Sequence, residues 1–286
     1  MIDYNTKNWL LAVFSSHKTH VLKVLFPSVI IMGLYTTLII YIMTHIETKF
    51  SGTTVVHSLL GIVLGLLLVF RTNTAYDRWW EGRKLWGSLV NDSRNLALKL
   101  NIILKEKDDK KVLAQDISFF CFMLKKHLRD EVNLSHVKEN YHDFSNKLHI
   151  PNAVAGKIFQ DVHGLYKLNK ISGEELIILD KHIASFTDIT GACERIKNTP
   201  IPYSYNLHLK KYIFFYVATL PWGLVHDLRY LSVPAVMMIF YAMVGLELIG
   251  EEIENPFGYD SDDLPLDRIC NNIKNNVYEI LDIEKE

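Results

Sequence analysis

Between Val24 and Met43 twenty consecutive residues pass without a charged side chain. A helix of that length covers about 30 Å, the thickness of a bilayer's hydrocarbon core. A second run, Ser51 to Phe70, carries only His57 as a titratable group. Tyr212 to Val225 and Leu231 to Leu246 are shorter, each with one proline, Pro221 and Pro234, and the link HDLRY joins them. Alone, the fourteen-residue run could equally be a buried soluble helix; paired across a short link, the two read as an antiparallel hairpin within the bilayer. The expected fold class is all-α: a polytopic membrane protein with four transmembrane helices and a helical cytosolic domain.

The first apolar run begins late and is too long for the core of a cleaved leader, so it is expected to stay in the membrane. Lys18 and Lys23 precede the first run, Arg71, Arg78, Arg83 and Lys84 follow the second, and Lys210 and Lys211 precede the third. The opposite connections offer Lys49 and Arg229. The positive-inside rule then makes both termini and the central segment cytoplasmic. Four regions result: 1–70, with spans one and two; 71–211, cytosolic; 212–250, with spans three and four; and 251–286, a cytosolic acidic tail.

The central region reads as helical. Leu96, Leu100, Ile103 and Leu104 share a stripe, as do Phe120, Met123 and Leu124. Ser172 with Glu175 forms a candidate capping box opening a helix through Leu179, Ile183 and Phe186. The run KEKDDKK, 105–111, is expected to be a solvated turn. A net charge of -1 gives no warrant for a nucleic-acid partner. Cys121, Cys193 and Cys270 are too widely spaced and too few for a disulfide framework or a zinc motif, and are expected to be idle thiols.

No phosphate-binding glycine loop, H-E-x-x-H or G-x-S-x-G motif occurs. His17 and His20 could bridge a metal, but beside Lys18 at a membrane entry they read as interfacial. The richest chemistry lies in NPFGYDSDDLPLD, 255–267, where Asp260, Asp262, Asp263 and Asp267 follow Glu251, Glu252 and Glu254. Such oxygen donors suit Ca²⁺ or Mg²⁺, although a solvated acidic loop is the blander reading. Its aspartate spacing also suggests a membrane-embedded Mg²⁺-dependent enzyme of prenyl diphosphate chemistry using Asp260 to Asp267. That rival lacks a good second aspartate-rich site, since Asp108 and Asp109 lie among lysines.

Behind the collar TNTAYDRWWEGRKLW, Ile62, Leu66 and Phe70 fall at i, i+4 and i+8 and make one bulky stripe. Gly61 and Gly65 make a neighbouring stripe that another helix could approach closely. Trp79, Trp80 and Trp86 fit an interfacial aromatic belt.

Three segments carry a resemblance. GLLLVFRTNTAYDRWWEGRKLWG is similar to the second membrane helix of the bestrophin family, GACERIKNTPIPYSY (191–205) to its approach to the third span, and ENPFGYDSDD (254–263) to its acidic run. They occur in the family's order, the layout covers nearly the whole chain, and the match is closest to the bacterial branch. The resemblance implies an ion channel, not an enzyme: a ring-shaped homopentamer whose pore is lined by the second helix. Ile62, Leu66 and Phe70 fall at the family's neck, though two are aliphatic where animal members are aromatic. Ile177 or Ile178 stands near the family's cytosolic aperture. Glu252, Asn255, Asp260 and Asp263 match the animal calcium clasp, with Glu252 in place of a glutamine. No cofactor is required, and calcium is the one candidate. Animal members conduct anions, chiefly chloride, while some bacterial relatives pass cations, so the sign of the permeant ion stays open. A scaffold that oligomerises without conducting is a third alternative.

Overall fold

The computed structural model describes residues 20–45, 54–131 and 148–284. His17, Lys18 and Lys49, with their expected metal and topology roles, lie outside the described residues, as does the side chain of His20. The described chain is all helical: α1 (His20–His45), α2 (Thr54–Ile103), α3 (Lys107–Leu128), α4 (Ile150–Lys167), α5 (Gly173–Asn198), α6 (Tyr203–Leu228), a 3₁₀ turn (Arg229–Leu231), α7 (Ser232–Glu254) and α8 (Leu266–Ile280). It divides into two compact units, Met1–Trp79 with Pro200–Asn255 and Tyr259–Asp263, and Trp80–Thr199 with Pro256–Gly258 and Leu264–Glu286.

In the first unit, three stretches are long and apolar enough to cross a membrane: Lys23–His45, Val55–Ile103 and Tyr203–Glu254. The last contains two helices, because the chain breaks at the 3₁₀ turn, where Arg229 takes φ 48°. At most a third of each apolar window is buried within the chain, so much apolar surface is left for lipid or other chains. Met32, Leu64, Leu68, Ile213, Val217, Leu220 and Val236 form the unit's core. Several polar groups inside it find backbone acceptors, as hydrocarbon requires. Thr36 and Thr37 hydroxyls donate to the carbonyls of Met32 and Gly33, and the Tyr35 hydroxyl donates to the Ala218 carbonyl at 2.9 Å. Of the two expected small-residue contacts, one is made: a Cβ added at Gly61 would lie 2.7 Å from the Tyr216 hydroxyl, whereas one added at Gly65 would meet no other described residue within 4 Å.

The second unit has a soluble-type core. Phe120 and Phe186 stack with centroids 4.8 Å apart, both fully buried. Helix α8 contributes Ile269, Cys270, Ile273 and Val277 on one face, i, i+1, i+4 and i+8. The Ser172–Glu175 capping box forms at the start of α5. The KEKDDKK run is not a free loop: Lys107 opens α3, and Asp108 and Asp109 sit in its first turn, where a helix favours negative charge. Glu106 and Asp109 both accept from Lys170 Nζ at 2.6 Å.

Candidate functional site: the outward row of α2 and its charged exit

Within the first unit, α2 has a buried face and an opposite exposed one. Leu64, Leu68, Arg71 and Ala75, spaced four, three and four residues apart, are each at most 1% exposed. Ile62, Leu66 and Phe70 stand two residues from members of that stripe, about 200° round the helix. They are 63%, 57% and 63% exposed. The structure thus gathers the three predicted side chains into one apolar row that the described chain leaves largely exposed. Sealed inside the chain they could line nothing; outward, they are available to a shared axis.

Just beyond the row the helix is pinned. Arg71 Nη2 donates to Glu254 Oε2 at 2.7 Å, the Ile201 amide donates to Glu254 Oε1 at 2.8 Å, and Arg78 Nε donates to the Glu254 carbonyl at 3.0 Å. Trp79 Nε1 donates to the Asp262 carbonyl at 2.9 Å. Glu254 was visible in the sequence only as one acid among several. Nothing in local periodicity marks it as the hub, because its partners lie as far as 183 residues away. Trp86 departs from the expected interfacial belt: it is fully buried in the second unit, and Trp80 is the exposed indole. A tryptophan at a regular α2 core position is spent on packing, whatever its neighbours.

Two of the sequence motifs meet directly in the second unit. A Cβ at Gly82 would lie 3.1 Å from both Pro256 and Phe257, so any larger residue would press those two side chains back by a few tenths of an ångström. Phe257 is fully buried and its carbonyl accepts from Arg129 Nε at 3.0 Å.

The acidic run is divided. In the first unit Asp263, 2% exposed, accepts the Asp260 amide on Oδ2 at 2.7 Å and closes a tight turn. Glu252 and Asp260 share a cleft of about 210 Å³, while Asn255 ends α7 at the surface. Asp267 lies in the second unit, where it accepts from Lys125 at 2.6 Å and Arg129 at 3.0 Å. Those bonds, the Lys125 one foremost, hold its carboxyl below the usual aspartate range. Asp267 is therefore engaged in docking α8 rather than poised for a metal-diphosphate reaction. Ile177 and Ile178 lie in the second turn of α5, 73% and 47% exposed, and Ile177 borders a cavity of about 480 Å³ with Phe159, His163 and Asp180.

An all-helical fold with long apolar helices, an outward apolar row and a charged, indole-rich exit defines a membrane protein built around helix α2. The chain belongs to the family of bacterial and fungal bestrophin proteins, whose family model matches residues 1–279. It is 39% identical over 230 residues to the voltage-dependent anion channel-forming protein alr2987 of Nostoc, covering 77% of this chain and 75% of that protein. It is 30% identical to the voltage-dependent anion channel-forming protein YneE of Escherichia coli K12, over 99% of this chain and 94% of that one. The crystal structure of a bestrophin homologue from Klebsiella pneumoniae superposes with a TM-score of 0.84 at 27% identity, covering 90% of this chain and 98% of that chain.

Proposed function

We propose that this bestrophin is an anion channel in the cell membrane, a ring of five identical chains with α2 of each lining the axis. In this reading α1, the first part of α2, α6 and α7 are four spans, and both termini are cytoplasmic. The observation that carries the proposal is the row Ile62, Leu66 and Phe70, outward on a helix whose opposite face is fully used for packing. The names of its relatives supply the class of ion: those proteins form voltage-dependent anion channels.

A neck of Ile, Leu and Phe offers an ion no oxygen and no charge. An ion there keeps its water or meets a desolvation penalty of several kcal/mol, so the neck gates by width and wetting while discrimination arises elsewhere. In this reading Ile177, the more exposed of Ile177 and Ile178, supplies a second, cytosolic narrowing. The pore needs no resident cofactor, and the acidic turn acts as a structural clasp at the end of α7 rather than as a reaction centre. The alternative of a Mg²⁺-dependent enzyme loses its cluster, since Asp267 is paired with Lys125 and Arg129.

Reversal potentials of the reconstituted protein in asymmetric NaCl test the reading. A reversal potential near that of chloride is expected. One near that of sodium would make the channel cationic, and a silent bilayer with intact oligomers would overturn conduction itself.

A further inference from the structure

We propose that His127, His149 and Glu194 form a binding site for a divalent ion of the zinc class in the second unit. Each comes from a different part of the chain: His127 from the last turn of α3, His149 from the cap of α4 and Glu194 from α5. One ligand atom from each lies within 4.8 Å of the others. Both imidazole Nε2 atoms stand 2.6 Å from the same carboxylate oxygen, Glu194 Oε1, and the two rings are 4.6 Å apart. The three side chains are 23%, 32% and 25% exposed, open enough for an ion to enter and sheltered enough to hold their geometry.

The donor set selects the ion. Two imidazole nitrogens and one carboxylate suit zinc and its neighbours, whereas calcium and magnesium prefer all-oxygen shells. Three protein ligands leave a fourth tetrahedral position for water. Two neighbouring cations have carboxylates of their own: Lys197 donates to Asp130 at 2.6 Å and Arg195 to Glu81 at 2.5 Å.

Occupancy asks for three adjustments. Metal–ligand bonds of about 2.0–2.1 Å set ligand atoms roughly 3.3 Å apart, so the two 2.6 Å hydrogen bonds open by under an ångström as the ion replaces their protons, and ligand atoms now up to 4.8 Å apart draw together. The Nδ1 atom of His149 now accepts from the Asn152 amide at 3.2 Å, and with metal on Nε2 it carries the proton instead and gives up that long bond. The site thus trades a weak helix cap for a coordinate bond. An ion there would tie α3, α4 and α5 at one point.

Full-length protein, freed of metal with a chelator and kept in detergent, is titrated with Co²⁺ and then Zn²⁺. One Co²⁺ per chain is expected, with the intense visible absorption of a tetrahedral centre, displaced by Zn²⁺. His127→Ala and Glu194→Gln abolish that band and weaken Zn²⁺ binding by about tenfold or more, while His163→Ala in the same unit leaves both unchanged. The chain has 12 histidines, so the comparison between variants is what assigns the site. Absence of the band in the wild-type protein, or its persistence in the His127→Ala variant, overturns the proposal. Should His127→Ala fail to assemble, Glu194→Gln, nearly the same size and shape, decides in the same way.

Discussion

The guanidinium of Arg71, one residue beyond Phe70, is 1% exposed and donates to Glu254 Oε2 at 2.7 Å. This pair sets how α2 is turned in the first unit, because it grips the helix on the face opposite the neck row. Removing one partner of a buried ion pair leaves an uncompensated charge, at a cost of about 3–5 kcal/mol. Glu254→Ala should therefore lower the melting temperature of the detergent-solubilised oligomer sharply. Glu254→Gln, which can still accept from the Ile201 amide, should lower it less. Combining Glu254→Gln with Arg71→Met should recover part of the loss, and a neutral Glu254→Ala would show that the pair holds nothing.

Leu66 and Leu68 differ by two positions and by role. Leu68 is 1% exposed in the unit's core, so Leu68→Ala should cost about 2–5 kcal/mol, read as a fall in thermal stability. Leu66 is 57% exposed and touches no such core. Leu66→Ala should leave the melting temperature of the protomer fold nearly unchanged yet raise single-channel current by widening the neck. The opposite pattern would mean that α2 is turned the other way in the assembly.

This contrast marks how far the sequence could be read. Apolar runs without charges, the Ile62–Leu66–Phe70 row and the Ser172 capping box are local patterns, and the structure has each of them. Local periodicity, though, cannot say which acid meets which base. Glu254 and Arg71, Asp267 and Lys125, or His127 and His149 with Glu194 are joined by tertiary packing across tens to hundreds of residues. The same limit misassigned Trp86, whose burial follows from the core stripe 82–86–89–93 along α2 rather than from its aromatic neighbours.

Asp267 gives a pH signature. Its carboxyl is held below the ordinary aspartate value by Lys125 and Arg129. A depressed folded pKa contributes stability that is complete above the unfolded value, about 3.9, and is lost as pH falls through the folded one. Asp267 is 62% exposed, so solvent limits the effect to under about 1 kcal/mol. Asp267→Asn should be slightly less stable than wild type at pH 7, and the difference should vanish as pH falls below the ordinary aspartate range. A gap that widened towards acid would contradict the pairing.

All three cysteines are free and buried. Burial pushes the thiols of Cys193 and Cys270 up to about 12 and that of Cys121 well above its ordinary value. Because the thiolate is the reactive form, native protein at pH 8 should resist iodoacetamide and yield three labelled thiols only when denatured. Rapid labelling of any one thiol in the folded protein would place it outside the core.

The capping box reaches the proposed cytosolic narrowing through the first turn of α5. Ser172 Oγ accepts the Glu175 amide at 3.2 Å, and Glu175 Oε2 accepts the Ser172 amide at 2.7 Å. Ile177 and Ile178 follow within a turn and are held by little else, being 73% and 47% exposed. Losing such a cap costs about 1 kcal/mol and acts first on the end of the helix, where each backbone bond depends on the one before it. Ser172→Ala should speed hydrogen exchange at the amides of residues 175–178 while leaving the buried middle of α5 protected. Ser172→Asp, which supplies another acceptor at the cap, should restore slow exchange. If Ile177 narrows the exit, the alanine variant should also show noisier current at unchanged reversal potential, because a frayed turn alters the width of the exit without altering its charge. Exchange that is the same in both variants would mean that α5 is held by its packing alone.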